Sequence, residues 1–386
     1  MRIPARIEYI LQKLAAAGYE GYLVGGCVRD FLLGREPSDF DITTSALPEE
    51  TMAVFAEHRV IPTGLKHGTV TVMHEGEPFE ITTYRTETTY ADGRHPDNVS
   101  FTRSLREDLC RRDFTVNAMA MGLDGEVVDL YGGREDLAAG IIRAVGEPTV
   151  RFTEDALRIL RAFRFAAKLG FAIEENTLAA ATALAPRLSL VSRERIFEEL
   201  SKLLCGKCAG QILTVMYDGG VFDCIFEKPK IRKDSFLDID SLPCRADIRL
   251  SSILLGDGNF AEHVRSLKPS TAFFTQVQDT LLCALPDGMD AATLYRAVYR
   301  YGASPLSDRA LIAGCKDLHE AVTALVEKAD CLAVRDLAVT GEDVLAKTAF
   351  RGKDIKTALE KVLFAVFDGE IPNTREAQLE YLCAMR

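Results

Sequence analysis

The stretch GGCVRDFLLGREPSDFDITTS, Gly25 to Ser45, sets two glycines before a short apolar helix and then two aspartates one residue apart, Asp39 and Asp41. Phe40, Ile42 and the β-branched Thr43 read as a strand, and residues two apart on a strand project from one face. Asp39 and Asp41 are therefore expected to point at one spot. Two like charges held that close call for a proton or a cation between them, and hard oxygen ligands suit Mg²⁺. The plain alternative is a solvated strand end, or an aspartate helping to cap the next helix. Upstream, GYLVGG reads as a strand ending in a turn, so Gly25 and Gly26 stand between a strand and a helix. Glycines there let a triphosphate approach the backbone, where a helix N-terminus offers free N–H groups and a partial positive charge. Arg29 lies in the first helical turn, within reach of a phosphate; Asp30 can orient it or cap backbone. On a later strand, FEITTY, Glu80 is either a third acidic ligand or a surface residue of an edge strand.

The chain has 386 residues, enough for two or more domains with separate cores. No apolar run approaches the ~20 residues that would span a bilayer. The opening MRIPARIEYILQKLAAAGYE reads as a charged helix without a signal-peptide core, so a cytoplasmic location is expected. Ten cysteines without framework spacing fit reduced thiols. Cys205 and Cys208 form a C-x-x-C with no second close pair, which reads as a helix end with two buried thiols rather than a zinc site. The net charge of −11 argues weakly against a nucleic-acid partner. Locally the balance reverses: from Arg151 to Lys233 there are 14 Lys and Arg against 10 Asp and Glu. That segment ends in KPKIRK, Lys228 to Lys233, whose plain reading is a solvated basic turn.

Strand signals crowd the first third. GYLVGG, FDITT, HGTVTVM and FEITTY are β-rich, and VRDFLLG is a short helix ending at a glycine. RTETTYADGRHPDNVS, with Gly93 and Pro96, reads as a long mobile loop. RRDFTVNAMAM is expected to resume as a helix, and LDGEVVDL carries an Asp-Gly hairpin turn. After about Gly146 the pattern is helical, with TEDALRILRAFRFAAKLG, ERIFEELSKLLCG and AGQILTVMYDGG closed by glycines. The plan is an α/β head followed by an all-helical arm.

Taken together, GG-x-V-R-D, D-F-D, RRDFTVNAMAM and EDALRILRAFRF, in that order over the first 170 residues, resemble the class II nucleotidyltransferases. These are the tRNA CCA-adding enzymes and the bacterial poly(A) polymerases. PNTREAQLEYL, near the end, is similar to the closing segment of bacterial CCA-adding enzymes without a hydrolase domain. The resemblance thins from about Asp234 to Asp330. It implies an α+β fold: a polymerase-β-like head with a small mixed sheet over residues 1–146, then an all-helical arm. That arm divides into a neck at 147–205 carrying a base-reading helix, a body at 206–325 and a tRNA-binding tail at 326–386. Asp39 and Asp41 then hold Mg²⁺. The nucleotide site maps onto Gly26, with Gly25 beside it, Arg29, Arg112, Asp113, Asp155, Arg158, Arg161 and Arg164.

The implied chemistry is attack of an RNA 3′-hydroxyl on the α-phosphate of a nucleoside triphosphate, with pyrophosphate leaving. The protein positions the reactants and stabilises charge. Arg112 can meet phosphate or ribose, and Asp113 can accept from ribose hydroxyls or simply cap a helix. Asn117, one turn on, can brace Asp113. Asp155, Arg158 and Arg161 recur every three residues, a polar stripe that Arg164 continues, while Leu157, Leu160 and Phe163 pack inward. An ordinary salt bridge there would contribute only a few tenths of a kcal/mol. Under the resemblance the stripe reads bases. Cytosine and adenine each show an amino donor beside a ring-nitrogen acceptor, so one Asp–Arg pair suits both. Guanine and uracil would set a carbonyl against Asp155, at a cost of about 1–3 kcal/mol or more.

Within the family, CC-adding enzymes lack part of the loop before RRDFT, whereas here RTETTYADGRHPDNVS is intact, which favours addition of A as well. The loop from Thr86 to Ser100 is expected to govern the switch from C to A. Poly(A) polymerases carry an arginine-rich signature where this chain has VIPTGLKHGTVTV. Six histidines include no His-Asp dipeptide, so a phosphohydrolase activity is not expected. An enzyme adding only A stays open. A catalytically silent RNA-binding protein would tend to lose an acidic ligand or the Asp–Arg pair, and both are present. The expected partners are the tRNA 3′ end, CTP and ATP.

Overall fold

A computed structural model describes residues 3–37, 39–88 and 98–385. The chain divides into two compact units, residues 1–229 with 266–268, and residues 230–265 with 269–386.

The first unit is built on a mixed sheet. Helix α1 (Ala5–Ala16) buries Ile7, Ile10, Leu11 and Leu14, the i, i+3, i+4, i+7 spacing of one helical face. Strand β1 (Gly21–Val24) follows, then α2 (Gly26–Leu32), β2 (Asp41–Thr44), α3 (Pro48–Val54), β3 (Arg59–Gly64), β4 (Thr69–His74) and β5 (Glu77–Thr83). After β6 (Arg85–Thr88), β7 (Asn98–Phe101) and α4 (Leu105–Cys110), the chain returns to the sheet as β8 (Met119–Met121) and β9 (Val127–Asp129). The seven-stranded order is β3-β4-β5-β2-β1-β8-β9. Only β2 and β5 run parallel; the other neighbours are antiparallel.

Two registers position the chemistry. Val24 pairs with Asp41, so the Gly25–Gly26 turn leaves β1 beside the first residue of β2. Ile42 pairs with Ile81 in the parallel ladder, so the preceding residues, Asp41 at the start of β2 and Glu80 in the middle of β5, lie on neighbouring strands.

Past β9 the unit turns helical. It holds α5 (Gly133–Ala139), a short strand pair β10 (Ile141–Ile142) and β11 (Ala172–Ile173), α6 (Pro148–Glu154), α7 (Leu157–Leu169), α8 (Glu175–Leu184), α9 (Arg193–Leu204), α10 (Ala209–Asp218) and α11 (Val221–Ile225). Leu157, Leu160 and Phe163 are buried, as the spacing requires. Gly170 closes α7 in the left-handed conformation. Cys205 and Cys208 stand at the α9–α10 junction, half-buried rather than buried, and all ten cysteines are free thiols.

Three segments depart from the sequence reading. RRDFTVNAMAM is not a helix. It is a turn, one 3-10 turn over Thr115–Asn117, and the buried strand β8. Tertiary partners override the helical propensity of Met and Ala. The Phe114 N–H donates to Asp113, Phe114 bridges Ala144, and the Thr115 hydroxyl donates to Asp136. TEDALRILRAFRFAAKLG is two helices, broken at Asp155 (φ −137°, ψ 106°), whose carboxylate takes the Leu157 N–H at 3.0 Å. RTETTYADGRHPDNVS starts and ends as the paired strands β6 and β7. The loop expected between them, with Gly93 and Pro96, lies outside the described residues. Strand β3 and helix α4 had no clear sequence signal.

The second unit shows no strand among the described residues. Its helices are α12 (Ala246–Leu254), α13 (Phe260–Ser266), α14 (Thr271–Leu282), α15 (Ala291–Tyr301), α16 (Ala303–Ile312), α17 (Lys316–Lys328), α18 (Gly341–Lys347), α19 (Lys353–Phe367) and α20 (Arg375–Ala384). One core gathers Leu294, Val298, Leu306, Leu318 and Val322 from α15 to α17. A second gathers Val344, Leu359, Val362, Leu363 and Leu382 from α18 to α20, with Tyr295 stacked on Phe367 at 4.8 Å. No helix is long and apolar enough to cross a membrane among the described residues.

Gly133 ties the helical layer to the 3-10 turn. A Cβ there would lie 2.3 Å from the Thr115 carbonyl oxygen and 2.9 Å from Met119 Cγ. Gly133→Ala is expected to destabilise the unit by about 1–3 kcal/mol through overpacking. Thermal unfolding followed by circular dichroism should show a lower midpoint.

Candidate active site

A cavity of about 670 Å³ opens in the first unit, a volume within the usual range for small-ligand sites. The Gly25–Gly26 turn, the residues around β2, the segment Arg111–Asn117 and helix α7 all contribute to its lining. Every residue singled out from the sequence lines it except Glu80 and Arg164. Glu80 lines an adjoining cavity of about 350 Å³ that shares Asp39 and Asp41. The main lining holds eight Lys and Arg against five Asp, so the cavity is cationic although the chain carries −11. A polyphosphate suits that balance.

Gly25 has φ 75° and ψ −130°, a conformation that side chains avoid. A Cβ there would come 3.2 Å from Arg112 Nη1 and 3.7 Å from Asp41 Oδ2. The missing side chain thus lets an arginine and a carboxylate close on the turn. Asp41 opens β2, and Asp39 precedes the strand by two residues. Burial pushes the Asp41 carboxyl above its ordinary range, Arg112 opposes that, and Asp39 and Glu80 add to it. A divalent cation relieves such crowding. The described residues hold no group of three or more metal-ligating side chains. Two carboxylates with Glu80 nearby fit a cation that completes its shell with substrate oxygens and water.

Behind the glycine turn runs a buried polar chain. Arg29, 2% exposed, gives Nε and Nη2 to Asp30 and Nη1 to Asn117 at 2.7 Å. Asn117 donates to Asp113 Oδ1 at 3.1 Å, and Asp113 Oδ2 accepts from Arg161 Nε at 2.8 Å and Nη2 at 2.5 Å. Arg29 is therefore a fixed bracket under Gly26 rather than a reaching arm, and Asp30 orients it. Burial disfavours the charged form of Asp113, but the charge and hydrogen bonds of Arg161 outweigh this and hold its pKa at about 2.

On the helical side, Asp155 Oδ2 accepts from Arg195 at 2.9 Å while Oδ1 takes the Leu157 N–H. Because Asp155 sits at the helix break, it faces the cavity from outside the stripe of Arg158 and Arg161. Arg158 gives Nη1 to Glu154 at 2.6 Å and Nη2 to the Arg111 carbonyl at 2.9 Å. Arg164 instead pairs with Glu199 at 2.6 Å, its guanidinium 4.0 Å from the Phe165 ring centre. Sequence reasoning missed Asp108, Arg111, Arg195 and Glu199. The available signals were the four-residue spacing of Asp108 to Arg112 and of Arg195 to Glu199, which puts each pair on one helical face or its extension.

Residues 21–143 match the family model of the poly A polymerase head domain. The first unit's sheet is therefore that of a nucleotidyltransferase head, which typically works with a divalent metal ion. Residues 170–233 match a model described as "Probable RNA and SrmB- binding site of polymerase A", and residues 250–382 match tRNA nucleotidyltransferase domain 2. A CCA-adding enzyme of Streptococcus pneumoniae is 38% identical over 384 residues, covering 97% of this chain and 95% of that protein. One of Levilactobacillus brevis is 37% identical, covering 95% and 94%. The solved structure of the Bacillus stearothermophilus CCA-adding enzyme in complex with CTP matches with a TM-score of 0.85 at 35% identity, covering 99% of this chain and 97% of that one. The chain belongs to the family of CCA-adding enzymes, within the class II nucleotidyltransferases.

Asp113→Asn would leave the Arg161 guanidinium without its carboxylate. The expected cost at pH 7 is about 1–3 kcal/mol, below that of a fully buried pair because the Arg161 side chain is 33% exposed. Because the folded pKa lies below the ordinary 3.8, this stabilisation is complete above that value and fades as pH falls towards about 2. Urea unfolding at a series of pH values should show a constant gap between variant and parent from pH 7 to about 5, narrowing below.

Proposed function

We propose that this chain adds C, C and A to the 3′ end of tRNA from CTP and ATP, releasing pyrophosphate, and that the protein itself selects the bases. The observation that carries the reading is the meeting of two carboxylates, a surplus of arginines and a braced Asp155 with Arg158 in one cavity. Asp39 and Asp41 are assigned to Mg²⁺, with Glu80 on the neighbouring strand adding negative charge beside them. Two Mg²⁺ ions held there would lower the pKa of the attacking 3′-hydroxyl and neutralise the charge on the departing pyrophosphate. Gly25 and Gly26 let the phosphates approach, and Arg112 meets them. Asp113, held by Asn117 and Arg161, accepts from the ribose. Asp155 and Arg158 accept from and donate to the base edge, which admits C and A.

The four-part division into head (1–146), neck (147–205), body (206–325) and tail (326–386) is proposed with it, the tail contacting tRNA. Ten free thiols support a cytoplasmic location.

Asp39→Ala and Asp41→Ala are each expected to abolish nucleotide addition while tRNA binding survives. The assay supplies tRNAs ending before CCA, after C and after CC with each triphosphate separately. Extension of only the substrate ending in CC would instead identify an A-adding enzyme. Asp155→Asn keeps an oxygen for the Leu157 N–H but offers an N–H to a base carbonyl. Its use of UTP or GTP relative to CTP and ATP should rise about tenfold, the worth of one hydrogen bond to a charged group. An unchanged preference would make Asp155 structural.

A further inference from the structure

We propose that Asp108 is a positioning residue for the incoming nucleotide: it fixes Arg111 and Arg112 side by side so that both present to the triphosphate. This rests on the assignment of the cavity as a nucleotide site. Asp108 lies on α4, is fully buried and does not line the cavity. Its Oδ1 accepts from Arg111 Nε at 3.1 Å and Nη2 at 2.8 Å. Its Oδ2 accepts from Arg112 Nη2 at 3.2 Å. One carboxylate thus grips two guanidiniums whose side chains both line the cavity, leaving one positive charge in excess.

The grip is anchored to the catalytic strand. The Thr43 hydroxyl, on β2 two residues after Asp41, has one proton to give, either to Asp108 Oδ2 at 3.4 Å or to the Thr82 carbonyl at 3.1 Å. The Arg85 N–H, at the start of β6, stands 3.4 Å from Oδ1. Asp108 therefore references both arginines to the strand that carries Asp41. Arg112 needs that reference, because its Nη1 occupies the space that Gly25 leaves open beside Asp41. Without it, two long side chains would have to be ordered by the nucleotide at each binding event, which weakens binding. Separate from this, the Arg111 carbonyl receives Arg158, a main-chain contact in which the Asp108 carboxylate takes no part.

A residue that only held the fold together would affect all ligands alike. A residue that aims two arginines at phosphates should act on triphosphate and spare monophosphate. The experiment measures equilibrium binding of CTP and of CMP, in Mg²⁺ buffer, to the parent chain, Asp108→Asn and the charge-conserving Asp108→Glu. Both variants are expected to bind CTP about tenfold more weakly, close to one charge-assisted hydrogen bond, with CMP affinity within about twofold. Their preference for CTP and ATP over UTP and GTP should not change. Equal loss of CTP and CMP binding, failure of both variants to fold, or unchanged CTP affinity in Asp108→Glu would each overturn the proposal. If the parent chain bound neither CTP nor ATP, the nucleotide-site reading itself would fall; if it bound both and the variants kept the parent's CTP-to-CMP ratio, only the role of Asp108 would.

Discussion

The pair of buried Asp113 and half-buried Arg161 is the constraint on which the site depends. Asp113 belongs to the turn that enters β8, and Arg161 to α7, so the pair joins the sheet to the helical layer. Asn117 and Arg29 extend the same chain of hydrogen bonds to the helix behind the glycine turn. The two halves of the cavity are thereby joined, with Asp39 and Asp41 on one element set and Asp155 and Arg158, proposed to read the base, on the other. For a reaction whose acceleration comes from positioning and charge stabilisation, joining the two halves is the main thing a protein can supply. An ion pair is weak evidence for net stability, but removal of Arg161 leaves the buried Asp113 carboxylate without its cation. The arrangement is therefore hard to lose piecemeal.

Charge is distributed to the same end. The chain as a whole is acidic, which limits indiscriminate binding to nucleic acid. Inside the cavity the sign reverses, and most of the arginines there are braced by carboxylates or carbonyls rather than left to wander. Asp41 is shifted in the opposite direction from Asp113. Its carboxyl is raised by burial and by its acidic neighbours, with Arg112 the counterweight. A group in that state takes up a cation readily, which is what the assignment of Mg²⁺ to this place requires.

Much of this was legible in the sequence. The D-F-D spacing read as one face of a strand; β2 begins only at Asp41, yet Asp39 and Asp41 line the same cavity, and the register of Val24 with Asp41 sets the glycine turn beside it. The apolar face of the helix around Leu160 and Phe163 read directly from its period. What was not legible depended on contacts distant along the chain. Met119–Met121 has no strand propensity to speak of and forms a strand because β1 and β9 lie on either side. The break at Asp155 follows from one side chain taking the Leu157 N–H and being held by Arg195, forty residues later in the chain. Arg29 read as an arm for phosphate because its partner Asn117 is 88 residues away. Long-range partners of polar side chains are the part that local pattern cannot supply.

The central claim is that the protein, without a nucleic-acid template, distinguishes the bases. Its most direct test is equilibrium binding of the four nucleoside triphosphates to the chain alone, with Mg²⁺ and no tRNA. The account predicts that CTP and ATP bind about tenfold or more tightly than UTP and GTP, since each of the latter sets a carbonyl against Asp155. Equal affinity for all four would contradict it.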